Sequence, residues 1–457
     1  MEQLATIIFI IGIAGLFFID RDLKRKRSLS IWIPAIWLMI AGSRPVTSWL
    51  GLAPASSPEH YLEGSPVDRV VFSMLLFAGI IVLLQRRNAV SKILSKNRLI
   101  IAFVLYCALS AFWSDFPGIT LKRWIKSLGD YVMVLIILSD QDWVANIKKV
   151  FSSVSFILIP LSVLFVKFYP DLGRHYATWG TQSYVGVASD KNMLGMICMI
   201  FGLAASWRMI HAFCAKSRNR SRVYIVHGTI FLMAIWLLLI SNSMTSLACF
   251  MITNTLIAMH ALSKTGRKRW VVHMSVVAIV LAISSVLFFD IGGDVLQDVG
   301  RNPTLTGRTA IWNAILDVPI NPAVGAGYES FWLGERLQKL WAIRGVTGVN
   351  EAHNGYIEMY LNLGWIGIGF LGLLLWTGYK NILRLLEHNA EAGRLRLAFF
   401  VIAVVYSFTE AGFRGGSMVW IAFLLTIIDV PQKFWQRIPA RQTSSVSPAF
   451  EEARTSL

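Results

Sequence analysis

Long apolar segments recur along almost the entire chain, and they limit its possible folds more than any other feature. A helix needs about 20 apolar residues to cross the hydrocarbon core of a bilayer. Hydrophobic residues make up 55% of the 457 residues and charged residues only 15%, whereas a soluble domain usually has about 25% charged residues. The sequence therefore predicts an all-α, polytopic integral membrane protein with about 12–13 transmembrane helices.

The apolar segments can be delimited along the chain. The predicted spans are 3–19, 31–50, 67–84, 99–113, 125–139, 150–166, 192–210, 223–241, 245–262, 270–289, 354–376, 397–411 and 417–430. The first span lacks a basic segment before it and a small-residue cleavage site after it. Five basic residues between Arg21 and Arg27 follow it instead. We therefore expect it to remain as a membrane span rather than to be cleaved as a signal peptide.

Basic residues concentrate in alternate loops and predict the orientation of the helices. The basic loops are 20–28, 85–98, 211–222, 263–269 and 377–396. Short loops rich in Lys and Arg stay in the cytoplasm, so the loops 51–66, 114–124, 167–191, 242–244, 290–353 and 412–416 are predicted to lie outside. This pattern also accounts for the net charge of +17 without a nucleic-acid partner, and none is expected.

The long outer loop divides the chain into five predicted regions. These are N-terminal transmembrane helices (1–166), middle transmembrane helices with an external Lys-Asn loop (167–289), a long periplasmic loop (290–353), C-terminal transmembrane helices (354–430) and a cytoplasmic, disordered tail (431–457). Within the long loop, Ile311, Ile315 and Val318 share one side of an amphipathic stretch. We expect this loop to carry short helices that lie on the membrane surface.

The most informative polar motif runs from Glu351 to Gly364, where the chain enters a predicted span from outside. Asn354, Glu358 and Asn362 follow each other at four-residue intervals and form one polar stripe on an otherwise apolar helix. His353 lies at the mouth of that helix. A histidine can take up a proton near neutral pH, so a general base is one interpretation. A capping or packing role in a buried hydrogen-bond network is the other.

Basic residues in two outer loops indicate an anionic ligand. Arg308 precedes the amphipathic stretch, and such a position suits phosphate. Arg174 and Lys191 lie in the loop 167–191, and Lys191 is followed by Asn192 at the start of a span. Contact with lipid headgroups would also explain these cations. The sequence has no phosphate-binding loop of the ATPase type and no pattern of metal ligands, so neither a cofactor nor a metal is expected.

Taken in order, these motifs resemble a known family. Gly307-Arg308-Thr309 with Trp312, then Asn321-Pro322 with Gly325 and Gly327, then His353-Asn354 with Glu358 and Leu363-Gly364 match the O-antigen ligase and polymerase superfamily. Lys191-Asn192 with Gly195 is similar to the ExoQ-like exopolysaccharide polymerases of that superfamily. The resemblance covers residues 180–430.

The resemblance implies a metal-independent glycosyltransferase in the bacterial inner membrane, with its active site facing the periplasm. Such enzymes transfer glycan from an undecaprenyl-diphosphate carrier to the hydroxyl of an acceptor glycan, among membrane lipids and, in some systems, with export or chain-length proteins. The implied site residues are His353 as the catalytic residue, Arg308, Lys191 and Arg174 as diphosphate ligands, and Asn354, Glu358 and Asn192 in support.

Three functions remain open at this stage. The first is a polymerase of exopolysaccharide or O-antigen repeat units, the second a ligase that attaches finished glycan to lipid-A core or another acceptor, and the third a flippase for lipid-linked sugar. A transport path fits poorly because the polar residues gather at one face. The chain departs from the family at Met244, where a basic residue is common. The missing diphosphate contact would come from another residue, such as Arg174 or Lys191.

Overall fold

A computed structural model describes most of the chain. The described residues are 2–21, 28–52, 65–176, 182–216, 219–263, 266, 268–288, 308–343 and 346–431. Residue 289, the first part of the predicted long loop (290–307) and residues 432–457 of the predicted tail lie outside this range.

Helices form nearly all of the regular structure in the described residues. They are α1 Glu2–Ile19, α2 Trp32–Ala41, α3 Val46–Trp49, α4 Pro66–Gln85, α5 Arg87–Lys96, α6 Arg98–Leu109, α7 Pro117–Leu138, α8 Trp143–Phe168, α9 Pro170–Gly173, α10 Lys191–Cys214, α11 Arg220–Ser241, α12 Met244–Leu262, α13 Arg269–Phe288, α14 Arg308–Leu316, α15 Gly334–Trp341, α16 Gly355–His388, α17 Ala390–Tyr406 and α18 Met418–Ile427. Two short antiparallel strands, β1 Arg174–Tyr176 and β2 Gln182–Tyr184, form a hairpin between α9 and α10. The 3-10 turns Leu29–Ile31 and Ser110–Phe112 complete the set.

The predicted all-α, polytopic architecture is confirmed, and every predicted span overlaps at least one helix. Among the described residues, seven helices are long and apolar enough to cross a membrane. An eighth span results if α5 and α6, which are bent by 88° relative to each other, are taken together. Shorter apolar helices add to this set, including α2 and α18. The total of about 12–13 spans stays a prediction.

One large core joins helices from the N-terminal, middle and C-terminal parts of the chain. Ile136 of α7, Phe201 of α10, Phe399 of α17 and Phe423 of α18 are completely buried in it. The peripheral helices α1 and α4 instead expose most of their apolar side chains. Such surfaces are stable against lipid tails, which solvate them as well as protein does. The central helices therefore provide the rigid frame of the molecule.

The helices of the long loop depart from the prediction. Ile311 and Ile315 of α14 are buried rather than placed on the membrane surface. They pack in a second, smaller core with Phe331, Leu337 of α15 and Leu361 of α16. The apolar face of the amphipathic stretch is therefore directed at the protein itself, because α15 and the start of α16 offer a complementary apolar surface.

A break in α16 at Gly364 anchors this loop. Gly364 has a φ of +63°, a conformation that glycine adopts readily. The segment 321–327 lies against the break, and the N–H of Gly327 donates to the carbonyl of Asn362 at 2.9 Å. A Cβ atom at Gly364 would lie only 2.3 Å from backbone atoms of Ala323. The motif with Gly325 and Gly327 and the motif with Leu363-Gly364 therefore pack directly against each other through their backbones.

Candidate functional site

The helix α16 begins at a cap that also places His353. The side-chain oxygen of Asn354 accepts hydrogen bonds from the N–H groups of Tyr356 and Ile357 at 3.0 and 3.1 Å, which is the usual way to cap a helix start. Its amide nitrogen donates to the carbonyl of Phe408 at 3.1 Å. His353, one residue earlier, has a φ of +46°. A positive φ is uncommon outside glycine, and such residues concentrate at functional sites.

The polar stripe of α16 faces the protein interior. Asn354, Glu358 and Asn362 are all buried. The carboxylate of Glu358 accepts from the indole N–H of Trp332 at 2.8 Å and from the backbone N–H of Ala352 at 2.9 Å. Because Ala352 precedes His353, Glu358 holds the backbone from which the histidine projects.

Glu410 is the centre of the candidate site. Its Oε2 lies 3.2 Å from Nδ1 of His353, and its Oε1 lies 2.6 Å from a guanidinium nitrogen of Arg308. The amide nitrogen of Asn192 donates to the same Oε1 at 3.3 Å. Glu351 approaches Nδ1 of His353 from another side, at 3.0 Å. We refer to Asn192, Arg308, Glu351, His353 and Glu410 as the Glu410 cluster.

A second arginine extends the cluster. Nε of Arg414 lies 3.0 Å from Oε2 of Glu329, and its Nη1 lies 3.6 Å from Oε2 of Glu351. Arg123 of α7 donates to the backbone carbonyl of Glu329. Positive and negative side chains therefore alternate from Arg308 to Arg123, and each carboxylate of the Glu410 cluster contacts at least one positive group or His353.

The carboxylates determine the protonation of His353. Burial lowers the pKa of His353, but its hydrogen bonds to Glu351 and Glu410 outweigh this effect and raise the pKa to about 10. Burial likewise raises the pKa of Glu351, yet the hydrogen bond with His353 and the nearby arginines bring it below its usual value. With this pKa, His353 is an imidazolium at neutral pH. Both carboxylates contact Nδ1, and no described residue hydrogen-bonds to Nε2.

The structure brings some of the predicted residues together and separates others. His353, Arg308 and Asn192 meet at Glu410, while Asn354 and Glu358 hold the surrounding backbone. Lys191 is the first residue of α10, and its side chain is exposed beside Asn192. These placements agree with a shared site but do not test the predicted roles, which stay predictions.

Arg174 lies elsewhere. Its Nε donates to the carbonyl of Val166 at 3.1 Å, and its guanidinium lies 5.7 Å from the ring centre of Tyr184. With Lys167 and Trp236 it lines a separate cavity between α8 and α11. No contact among the described residues connects Arg174 to the Glu410 cluster. The predicted outer loop 242–244 is closer, since Thr245, which follows it, shares a 2.8 Å hydrogen bond with Thr409 beside Glu410.

Sequence reasoning missed Glu410 and Arg414. Glu410 falls inside the predicted span 397–411, and a carboxylate in an apolar segment is itself an indication of function. Its partners come from three distant parts of the chain, so no local spacing relates them. Arg414 fell in a short predicted outer loop, where a single arginine has no distinctive pattern.

Three members of the cluster could also provide metal ligands. Among the described residues, Glu351, His353 and Glu410 each offer one ligand atom, and these atoms lie within 4.8 Å of one another. Arg308 and Arg414 already pair with the two carboxylates. A divalent cation would have to displace or approach these guanidinium groups, which the repulsion between like charges opposes.

The chain resembles known proteins over part of its length. Residues 229–377 match the model of the O-antigen ligase family. This region includes Arg308, His353 and Glu358, whereas Asn192 and Glu410 lie outside it. The chain is 28% identical over 304 residues to the exopolysaccharide production protein ExoQ of Rhizobium meliloti (strain 1021), an alignment that covers 64% of this chain and 67% of that protein. The resemblance that the motifs predict is thereby confirmed: this is a polytopic membrane protein with similarity to the O-antigen ligase family.

Proposed function

We propose that the chain is a polysaccharide polymerase at the periplasmic face of a bacterial inner membrane. It would transfer glycan from an undecaprenyl-diphosphate-linked repeat unit to a sugar hydroxyl of an acceptor glycan. The new glycosidic bond forms as the bond between the anomeric carbon and the diphosphate oxygen breaks. The observation that supports this best is the Glu410 cluster, which holds a histidine between two carboxylates beside Arg308. The alternation of basic loops supports the orientation.

His353 acts on the acceptor hydroxyl in this proposal. Glu351 and Glu410 hold Nδ1, so Nε2 is the nitrogen left to accept the hydroxyl proton. A carboxylate that holds the far nitrogen of a catalytic histidine fixes its orientation and stabilises the imidazolium that forms. Because the pKa of His353 is about 10, the reactive neutral form increases as the pH rises from 7. Transfer should therefore be faster at pH 9 than at pH 7.

Arg308 stabilises the leaving diphosphate. It is the first residue of α14, where backbone N–H groups have no partner within the helix. Its guanidinium pairs with Glu410 inside the Glu410 cluster, and Lys191 offers a second positive charge next to Asn192. Fixed positive groups beside the bond that breaks lower the energy of the transition state, without requiring a metal ion.

A ligase is the second candidate, and the description of the matching family favours it. The same cluster would serve, with lipid-A core or another acceptor in place of a growing chain. The name of the similar exopolysaccharide production protein favours the polymerase. A flippase is less well supported, because the Glu410 cluster gathers at the start of α16 rather than midway along it.

The decisive experiment is reconstitution of the purified chain with a defined undecaprenyl-diphosphate oligosaccharide, followed by mass analysis of the products. A ladder that grows by whole repeat units supports the polymerase, and a single transfer to added core oligosaccharide supports the ligase. The variant His353→Ala should lose product, while His175→Ala, an exposed histidine on β1, serves as the matched control. Absence of any transfer by the wild-type chain would overturn the proposal.

A further inference from the structure

A cavity of about 370 Å³ lies at the other end of α16 from the Glu410 cluster. Its walls include Lys96 and Asn97 at the elbow between α5 and α6, Lys380 and Arg384 of α16, and Asp429 after α18. Lys380 lies 25 residues beyond Gly355, the first residue of α16, which corresponds to roughly 38 Å along the helix. The cavity thus falls just beyond the end of the predicted span 354–376, at the depth of the lipid headgroups.

Positive charge predominates around this cavity. Lys96 lies 3.8 Å from the carboxylate of Asp429, which is the one acidic group in the lining. Nζ of Lys380 lies 4.5 Å from the ring centre of Trp376, and Arg384 donates to the side-chain oxygen of Asn381. Neither Lys380 nor Arg384 forms an ion pair within the part of the chain that the structure describes. Two positive charges are therefore left for an anionic ligand.

The surface next to these cations is apolar and exposed. Trp376 and Leu373 of α16 are 59% and 53% exposed, on the stretch of helix that precedes Lys380. On the other side, α5 is amphipathic and turns away from α6 by 88°. A helix of this kind typically lies in the membrane interface. The ligand that matches both features carries a negative headgroup and apolar chains.

The cavity is also built on well-connected elements. The amide nitrogen of Asn97 donates to the backbone carbonyl of Asp429 at 2.9 Å, and the N–H of Asp429 donates back to the side-chain oxygen of Asn97 at 2.8 Å. This reciprocal pair joins the α5–α6 elbow to the end of α18. A ligand that also contacts α16 would tie a third element to this junction and so stabilise the folded chain.

We propose that this cavity binds the phosphate groups of an anionic phospholipid, with the acyl chains lying along Leu373 and Trp376. The site is separate from the glycan-transfer site and does not depend on the proposed function. Basic pockets between helices at the cytoplasmic surface are a known type of lipid-headgroup site. The two cations that form no ion pair with a described residue, Lys380 and Arg384, would favour a headgroup with two phosphates over one with a single phosphate.

Native mass spectrometry of the full chain in detergent tests the proposal. The probes are cardiolipin, phosphatidylglycerol, phosphatidylcholine and inorganic diphosphate, and thermal unfolding is followed in parallel. We expect binding and thermal stabilisation in the order cardiolipin, phosphatidylglycerol, phosphatidylcholine. The double variant Lys380→Gln/Arg384→Gln should bind cardiolipin about tenfold more weakly, since each cation near the headgroups contributes a modest attraction. Both side chains are exposed, so folding should be retained.

The matched control is Arg87→Gln/Lys92→Gln, which removes two exposed cations of α5 that do not line the cavity. It should bind cardiolipin as the wild type does. Equal weakening in both double variants would mean non-specific attraction and would overturn the proposal. So would equal stabilisation by phosphatidylcholine, or displacement of cardiolipin by equimolar inorganic diphosphate, which would indicate a site for a small soluble anion. The preference of the wild-type chain among the four probes remains a test even if a variant folds poorly.

Discussion

The two ends of α16 use positive charge in opposite ways. At one end, Arg308 and His353 contact Glu410 and Glu351 at 2.6 to 3.2 Å, and the side chain of Glu410 is only 6% exposed. At the other end, Lys380 and Arg384 are exposed and have no carboxylate partner among the described residues. Paired, buried groups keep a fixed geometry, whereas unpaired, exposed ones attract an anion from solution or from the membrane surface and are sensitive to salt.

This difference matches two different roles, catalysis at the Glu410 cluster and lipid binding at the cavity beside Lys380. A catalytic group must be held close to its reacting position by neighbours that are themselves fixed. The Glu410 cluster meets this condition because four segments of the chain converge on a single carboxylate. The cavity at Lys380 does not need such precision, since a lipid headgroup adapts to the positions of the cations. Substitutions at the first end should therefore act on the reaction rate, and those at the second on lipid binding.

The strongest test of this contrast is His353→Gln. We expect at least a 100-fold loss of glycan transfer, which is the lower range for removal of a general base. The measurement is the initial rate with the reconstituted chain at matched protein level, with His175→Gln as the control. A rate within twofold of the wild type would show that the cluster is structural.

The next largest effect is expected for Glu410→Gln, a loss of about 30-fold in the maximal rate reached at high pH, because His353 loses a carboxylate that fixes its orientation. The change removes one of the two carboxylates that raise the pKa of His353, so this pKa should fall towards its usual value of about 6.5. Since the neutral histidine accumulates only above its pKa, the rising limb of the pH–rate profile should move to lower pH. Glu335→Gln, which alters an exposed pair with Lys339, should leave the profile unchanged. If the rising limb of the pH–rate profile does not move in Glu410→Gln, Glu410 does not set the pKa of His353 as proposed.

A smaller effect is expected for Arg308→Gln, a loss of about tenfold in kcat/KM for the lipid-linked donor, because a hydrogen bond to a charged group typically contributes about 1.5–3 kcal/mol. The KM for the lipid-linked donor should rise and the rate at saturation should fall, as expected for a group that contacts the diphosphate in both the bound and the transition state. Arg308→Lys should recover part of the loss by restoring the charge. An unchanged donor KM and rate in both variants would exclude the diphosphate role.

The smallest effect is expected for Arg174→Gln, a rise of about threefold in the KM for the lipid-linked donor, because partly exposed charges contribute little binding energy. Arg174 lies in the separate cavity with Lys167 and Trp236, without a described contact to the Glu410 cluster. The comparison of donor KM values for the Arg174 and Arg308 variants decides whether this arginine takes the place of the basic residue that is missing at Met244. A loss as large as that of Arg308→Gln would place it at the diphosphate after all.

Local patterns in the sequence predicted three of the five residues of the Glu410 cluster, Asn192, Arg308 and His353. The interval of four residues between Asn354, Glu358 and Asn362 predicts their common face, and all three are indeed buried together. His353 and Arg308 were found because each begins or precedes a helix in a recognisable motif. The amphipathic stretch around Ile311 is a helix, as predicted, but its apolar face packs on the protein. Periodicity shows that an apolar face must be covered, but it does not identify the surface that covers it.

What the sequence determined by itself is everything that depends on neighbours along the chain: the apolar lengths that form spans, the alternation of basic loops and the helix starts that carry Asn354 and Arg308. Only the tertiary structure decided that Asn192, Arg308 and His353 contact the carboxylate of Glu410, and that Glu351 approaches the same nitrogen of His353. It also decided that Arg174 has no contact with them among the described residues. The physical reason is the range of the forces. The apolar length of a span and the cap of a helix depend on residues that are close in sequence. An ion pair forms only where packing of the whole bundle brings distant segments within a few ångströms.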